Sequence, residues 1–294
     1  MPTLKQNVSK WGADRSWTDA GNEWSVAWGG ADKQWYGSIL PRILPYLPAH
    51  SILEIAPGFG RWTRFLRGHC KKLIAVDLNT NCIDHCRQQF GGDPSMSFYV
   101  NDGKSLAMAG DASIDFIFSF DSLVHVEAAV IDAYLAEFAR VLAPQGTAFI
   151  HHSNFADCLA SPFATMLTHI PLVRHLLWRT AMFGVKPNYH WRAESVSAHV
   201  VRELCQQHNL YCIRQEIVNW GGDVLNDCFS VITRFPAGTC EIIENLGFMD
   251  EAEKIKRSSS TQLSIKCGYC NSILTTRQCR INDLPSPIFE AAPQ

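Results

Sequence analysis

Glu54-Ile55-Ala56-Pro57-Gly58-Phe59-Gly60 closes a short apolar run and opens directly into the amphipathic stretch 61–68. A strand that passes into a helix across two closely spaced glycines leaves backbone amides that a ligand can approach. Glycine supplies the φ values and the clearance, and the helix N-terminus supplies unpaired N–H groups. The third glycine of a G-x-G-x-x-G dinucleotide fingerprint is absent, which disfavours a pyrophosphate cradle.

Outward from this loop, apolar runs alternate with amphipathic segments in the βαβ manner of a parallel sheet. The pattern predicts strands over 51–56, 72–77, 97–100, 114–120 and 147–154, with helices over 61–68, 79–90 and 127–142. The last helix stops before Pro144 and Gly146. A basic, apolar helical insertion over 155–192 interrupts the rhythm. It resumes with a helix over 195–208 and two strands, 210–218 and 227–235, expected to pair antiparallel. Residues 1–48 form an aromatic flap holding Trp11, Trp17, Trp24, Trp28 and Trp35, without clear period at first and then helical over 33–47. The core domain is 49–235. A C-terminal extension, 236–294, has one or two helices over 241–257 and is partly mobile beyond them.

The second strand ends at Asp77, placing a carboxylate beside the glycine loop, where open α/β sheets hold ribose hydroxyls. Beyond the third strand, Asn101-Asp102-Gly103 offers an acid as acceptor for an exocyclic purine amine. In this order and spacing, Glu54 to Gly60, Asp77, Asn101-Asp102, the 114–120 strand and Phe138 to Gly146 resemble the class I S-adenosylmethionine methyltransferases over roughly residues 47–235. The resemblance implies a doubly wound, mostly parallel, seven-stranded Rossmann-like sheet. It also implies S-adenosylmethionine as cofactor: Glu54, Ala56, Gly58 and Gly60 surround its amino-acid half, Asp77 and Leu78 its ribose side, Asn101, Asp102 and Gly103 its adenine, with Phe120 alongside. The family usually has glycine where this chain has Ala56, so a modest shift of the loop is expected there.

Methyl transfer to a hydroxyl needs an acceptor in line and a group to take its proton. The ends of strands four and five carry Phe120-Asp121-Ser122-Leu123-Val124-His125-Val126-Glu127 and His151-His152-Ser153-Asn154. His125 is the first candidate base, with packing under the following helix as its structural alternative. Asp121 and His152 are the other catalytic candidates. Since neighbours on a strand face opposite ways, only one of His151 and His152 should reach the crevice. Together with Asp121 and Glu127 these histidines leave a divalent metal open, but the spacing is not diagnostic and no metal ligand is assigned.

A looser resemblance to glycan and antibiotic-sugar O-methyltransferases, in residues 119–126 and 150–154, implies a carbohydrate acceptor: a sugar, glycan or glycosylated natural product. Arg174, His175, Trp178, Arg179, Lys186, Tyr189, His190, Trp191 and Arg192 suit an anionic acceptor such as a nucleotide sugar, or equally a solvated helix face. A small-molecule N- or C-methyltransferase and a non-catalytic S-adenosylmethionine-binding protein remain as alternatives.

Of the 294 residues, 47% are hydrophobic and 18% charged, and the net charge of −2 offers phosphate backbones no general attraction. Nucleic acid is therefore not expected as a partner. Residues 163–185 are apolar but broken by His169, Pro171, Arg174, His175 and Arg179, which argues against a membrane span and leaves peripheral contact possible. No secretory signal is visible, so a cytoplasmic protein with reduced thiols is expected. Cys267 and Cys270 have zinc-knuckle spacing with Cys279 nearby, but no fourth ligand completes a site. Nothing here sets the oligomeric state.

Overall fold

The computed structural model describes residues 3–12, 17–158, 191–222, 224–236 and 238–258, with the two-residue strands Ile265–Lys266 and Ile273–Leu274. Eight strands make the main sheet: β1 Ala49–Ile55, β2 Cys70–Asp77, β3 Met96–Val100, β4 Ile114–Ser119, β5 Leu142–Ser153, β6 Tyr211–Val218, β7 Asp227–Thr233 and β8 Glu241–Asn245. Their order is β3-β2-β1-β4-β5-β7-β6-β8. β1 pairs parallel with β2 and β4, and β7 is antiparallel to both neighbours. The order turns back between β1 and β4, so the crevice beyond their carboxyl ends is the switch point where such sheets bind ligands.

Both sheet faces are covered, which is why the strands read as apolar runs without polar alternation. On one face Ile52, Phe116, Phe118 and Phe149 pack with Trp35 and Phe248. On the other, Leu53, Ile117 and Ile150 pack under α6, Ala128–Val141, and α7, Ala198–Gln207. The remaining crossover helices are α4, Thr63–Leu66, a single turn, and α5, Thr80–Phe90.

Four details depart from the sequence expectation. The sheet has eight strands, not seven, because residues 241–245 pair parallel with β6 from Arg214↔Glu241 to Val218↔Asn245. The expected helix there starts only after Gly247, as α8, Phe248–Arg257; the strand covers what would be an exposed edge of β6. β5 begins at Leu142, five residues early. Its register with β4 shifts between Ile114 and Phe116, and a Cβ on Gly146 would lie 2.8 Å from the Ile114 carbonyl oxygen, so residues 143–146 bulge against the neighbouring strand.

The flap begins with a true helix, α1, Leu4–Trp11, closed by a capping box between Thr3 and Gln6. The Thr-x-x-Gln signal was present in the sequence but sits before a segment with little apolar periodicity. The helix expected over 33–47 is instead a chain of short turns: α2 Ala31–Gln34, a π turn Trp35–Ile39, α3 Leu40–Ile43 and a 3₁₀ turn Leu44–Tyr46. Pro41 cannot donate into a regular ladder, and the widened turn before it absorbs that loss. Of the insertion, only 155–158 and 191–192 are described; its residues 174–190, and Cys267, Cys270 and Cys279, lie outside the described residues.

Candidate active site

A cavity of about 480 Å³ opens at the switch point, walled by the β1 loop, the ends of β2 and β4, the flap, and Trp220. The β1 loop is built from left-handed residues: Ala56 at φ 56°, Gly58 at 58° and Gly60 at 87°. Ala56 thus holds a conformation that glycine takes without penalty, which is the physical sense of the family's usual glycine and costs this chain about 1 kcal/mol. Two bonds hold it: Ala56 N–H donates to the Val76 carbonyl at 2.7 Å, and the Ser122 hydroxyl donates to the Ala56 carbonyl at 3.2 Å.

Gly58 lies on the wall under Trp17, 3.1 Å from where a Cβ would stand. Gly60 faces away; a Cβ there would come within 2.5 Å of the Phe90 ring. Its glycine serves packing rather than ligand approach. Phe59 is stacked between Trp17 at 4.6 Å and His85 at 4.1 Å, which docks the flap on the loop.

Glu54 stands behind this wall, almost fully buried. One carboxyl oxygen accepts from the Thr63 hydroxyl at 2.6 Å and the other has no partner. Burial pushes its pKa up to about 8. Asp77 lines the cavity, where it accepts from Asn79 N–H at 2.8 Å and from Gly58 N–H at 3.3 Å. Burial outweighs those bonds and raises its pKa to about 6. Leu78 and Gly103 also line the cavity.

Asn101 and Asp102 are not brought to it. Asn101 ties Gly103, Ser105 and Tyr134 together. Asp102 is exposed and caps a turn through Lys104 N–H and Ser105 N–H, bonds that hold its pKa low. The acid expected at the adenine is therefore turned to solvent, and Leu4 of α1 packs over Gly103 instead.

At the reactive end, Phe120, Asp121 and His125 all line the cavity. Asp121 is left-handed at φ 62°. Its carboxylate pairs with Arg61 at 2.9 Å, and its N–H donates to His151 Nδ1 at 3.1 Å. His151 Nε2 then donates to Asp227 Oδ2 at 3.1 Å, and Arg192 grips Asp227 through Nε at 2.7 Å and a terminal nitrogen at 2.6 Å. Burial works to raise the Asp227 pKa, but Arg192 beside it wins and holds it well below the ordinary range.

His125 donates Nδ1–H to the Trp191 carbonyl at 2.9 Å, leaving the lone pair on Nε2. Its ring stacks on Trp11 at 5.2 Å, and Asn7 donates to its carbonyl oxygen at 2.8 Å. Burial lowers its pKa to about 4, so it is neutral at pH 7. His152 points to the other face, donating Nδ1–H to the Ser153 carbonyl at 2.8 Å and accepting from the Ser230 hydroxyl at 2.7 Å. It is fully buried and off the cavity, which removes the geometric basis for its candidacy; of the two histidines, His151 is the one tied to the site.

Asn7, Arg61 and Asp227 carry no assignment from the sequence, and Arg192, expected there to face an anionic acceptor, pairs with Asp227 instead. Arg61 had a signal, a charge at the loop-to-helix junction followed by Trp62. Asp227 had none beyond a lone acid opening an apolar strand. Among the described residues no group of His, Cys, Asp and Glu could hold a metal, and no helix is long and apolar enough to cross a membrane.

Residues 52–146 match the family model of a methyltransferase domain. Over 114 residues, 37% of this chain, the sequence is 37% identical to the biotin biosynthesis bifunctional protein BioHC of Cellvibrio japonicus. Over 60 residues, 20% of the chain, it is 35% identical to ribosomal RNA small subunit methyltransferase A of Geobacter metallireducens. The chain spans 22% of each of these relatives. Among solved structures, the PH0226 protein of Pyrococcus horikoshii covers 69% of this chain and 92% of its own, at 20% identity and TM-score 0.45. A SAM dependent methyltransferase from Aquifex aeolicus covers 72% and 97%, at 12% identity and TM-score 0.47.

Proposed function

We propose that this chain, built around a class I S-adenosylmethionine-dependent methyltransferase domain, methylates a hydroxyl of a sugar, glycan or glycosylated natural product. The family implies the cofactor, and the residues present fit it: the left-handed loop at Ala56 and Gly58 keeps the wall low, and Asp77 offers a buried acceptor beside it. When bound, S-adenosylmethionine supplies an electrophilic methyl group.

His125 carries the acceptor reading. Its tautomer is assigned by the Trp191 carbonyl, so Nε2 is a neutral acceptor on the cavity wall. There it takes the proton of an acceptor hydroxyl, while Asp121, fixed by Arg61 and His151, orients that hydroxyl. The rings of Trp11, Trp24 and Trp220 on the same wall suit the apolar face of a sugar. Arg61 and Arg192 are each paired with an aspartate, so these guanidinium groups add no net charge for a phosphate. A neutral glycan is favoured over a nucleotide sugar on this ground.

The test is transfer of labelled methyl from S-adenosylmethionine to panels of glycans, nucleotide sugars and small amines, with wild type and His125→Ala. The variant should lose roughly 10²- to 10⁴-fold in kcat while binding S-adenosylhomocysteine unchanged. Turnover on amines alone, insensitive to His125→Ala, would refute the reading.

A further inference from the structure

The free edge of the sheet carries a feature that the methyltransferase reading does not use. β6 and β8 start side by side, with Arg214 opposite Glu241 and an irregular register between Cys212 and Arg214. Cys212 and Cys240 therefore sit at adjoining strand starts, with their sulfurs 3.9 Å apart. The register puts Cys240 one position from Cys212, diagonally across neighbouring strands, and the sulfurs, already in contact, need only come to the roughly 2.05 Å of an S–S bond. Closing the gap needs side-chain rotation and a small approach of two strand ends.

The two thiols differ in reactivity. The bond with Cys212, helped by nearby Arg202, holds the Cys240 pKa down at about 7, while that bond and burial push Cys212 up. Among the described residues every other cysteine with a resolved shift is raised: Cys70, Cys158 and Cys205 to about 12, and Cys82, Cys86 and Cys228 further. Cys240 is also only partly buried. A partly exposed thiol with thiolate character beside a second thiol is the arrangement that oxidises selectively.

We propose that Cys212 and Cys240 are a redox-modifiable pair that closes into a disulfide and fastens the C-terminal extension to the sheet. With a low-molecular-weight disulfide as oxidant, the Cys240 thiolate attacks one of its sulfurs and expels one thiolate, leaving a mixed disulfide on Cys240. Cys212 loses its proton to solvent and attacks the Cys240 sulfur, expelling the second thiol. Two protein thiols are oxidised and one disulfide is reduced to two thiols. The bridge restrains β8 and the helix after it, whose Phe248 ring packs on Trp220, 5.6 Å away, and so reaches the cavity wall.

The experiment is graded oxidation of the full folded chain with glutathione disulfide, alkylation of remaining thiols, and peptide mapping, which reads this pair separately from the other cysteines. Wild type should yield a peptide cross-linked between Cys212 and Cys240, reversed by dithiothreitol. Cys212→Ser should stop at glutathionylated Cys240, and Cys240→Ser should give neither product at this site. Oxidised wild type should melt higher than reduced wild type, whereas Cys240→Ser should show a smaller rise or none. Wild type that stops at the mixed disulfide, cross-links Cys240 elsewhere, or leaves both thiols alkylated overturns the proposal, as does Cys212 reacting unchanged in Cys240→Ser.

Discussion

Replacing Asp77 with asparagine separates cofactor binding from folding because the two should move differently. Asp77 already accepts two backbone N–H groups and has lone pairs left toward the cavity, where ribose hydroxyls would donate. Hydrogen bonds to a charged acceptor are worth about 1.5–3 kcal/mol each. An amide loses the charge and turns one acceptor into a donor, so a loss of about 2–4 kcal/mol is expected, roughly 30- to 1,000-fold in Kd. The pH dependence has a definite sign. With a pKa near 6, Asp77 must shed a proton to bind at lower pH, so wild-type affinity should fall toward tenfold per unit below pH 6 and level off above it. The variant should lack that slope. In the free protein the raised pKa means that the fold favours the neutral acid; its contribution is full below the unfolded pKa of 3.8 and lost as pH rises through about 6. At pH 7 Asp77→Asn removes that buried charge but sets its amide NH2 against one backbone N–H, at least cost the longer Gly58 contact, so the free protein should lose no more than about 1–2 kcal/mol, less than the ligand complex does. Titration calorimetry with S-adenosylhomocysteine from pH 5 to 8, alongside melts without ligand, measures both. A Kd within threefold of wild type, or an unchanged pH slope, refutes the reasoning.

Further outcomes follow from the same geometry. Glu54→Gln removes a group that the fold prefers protonated, whose contribution is lost as pH rises through about 8; relative to wild type it should gain about 2 kcal/mol between pH 6.5 and 8, read by urea unfolding at both values. Parallel curves would contradict that. Gly60→Ala puts a Cβ against the Phe90 ring in a left-handed residue and should cost about 1–3 kcal/mol, seen as a lower melting temperature. Since His125 is held neutral to about pH 4, log kcat should show no falling limb near pH 6.5; a limb there that vanishes in His125→Ala would show a base with an ordinary pKa.

The glycine-loop side of the cavity was legible because it is local. Residues 54–60 and Asp77 lie at the ends of adjacent strands, and the strand-to-helix punctuation reads at short range. Asp102 misled for a local reason as well: an acid two and three residues before free N–H groups caps its own turn rather than reaching into a cavity. The eighth strand was missed because Ile242 and Ile243 are compatible with a helix, and only the open edge of β6 makes them a strand. His152 was misjudged because strand alternation says that two neighbours face opposite ways but not which way each faces.

The proposed acceptor half was illegible because its order comes from pairs far apart in the chain. Asp121 reaches Arg61, sixty residues earlier, and through His151 it reaches Asp227 and Arg192. Two left-handed residues without glycine's freedom, Ala56 and Asp121, stand at the mouth of the cavity, and Ser122 bonds the first to the loop of the second. Each conformation costs energy alone, so each persists because its neighbours over-determine it. The segment that supplies Trp191 to His125 also supplies Arg192 to Asp227, so one stretch of chain, 191–192, sets both the tautomer of the proposed base and the anchor beneath Asp121. The two sides of the proposed acceptor site are thus coupled through residues 191 and 192.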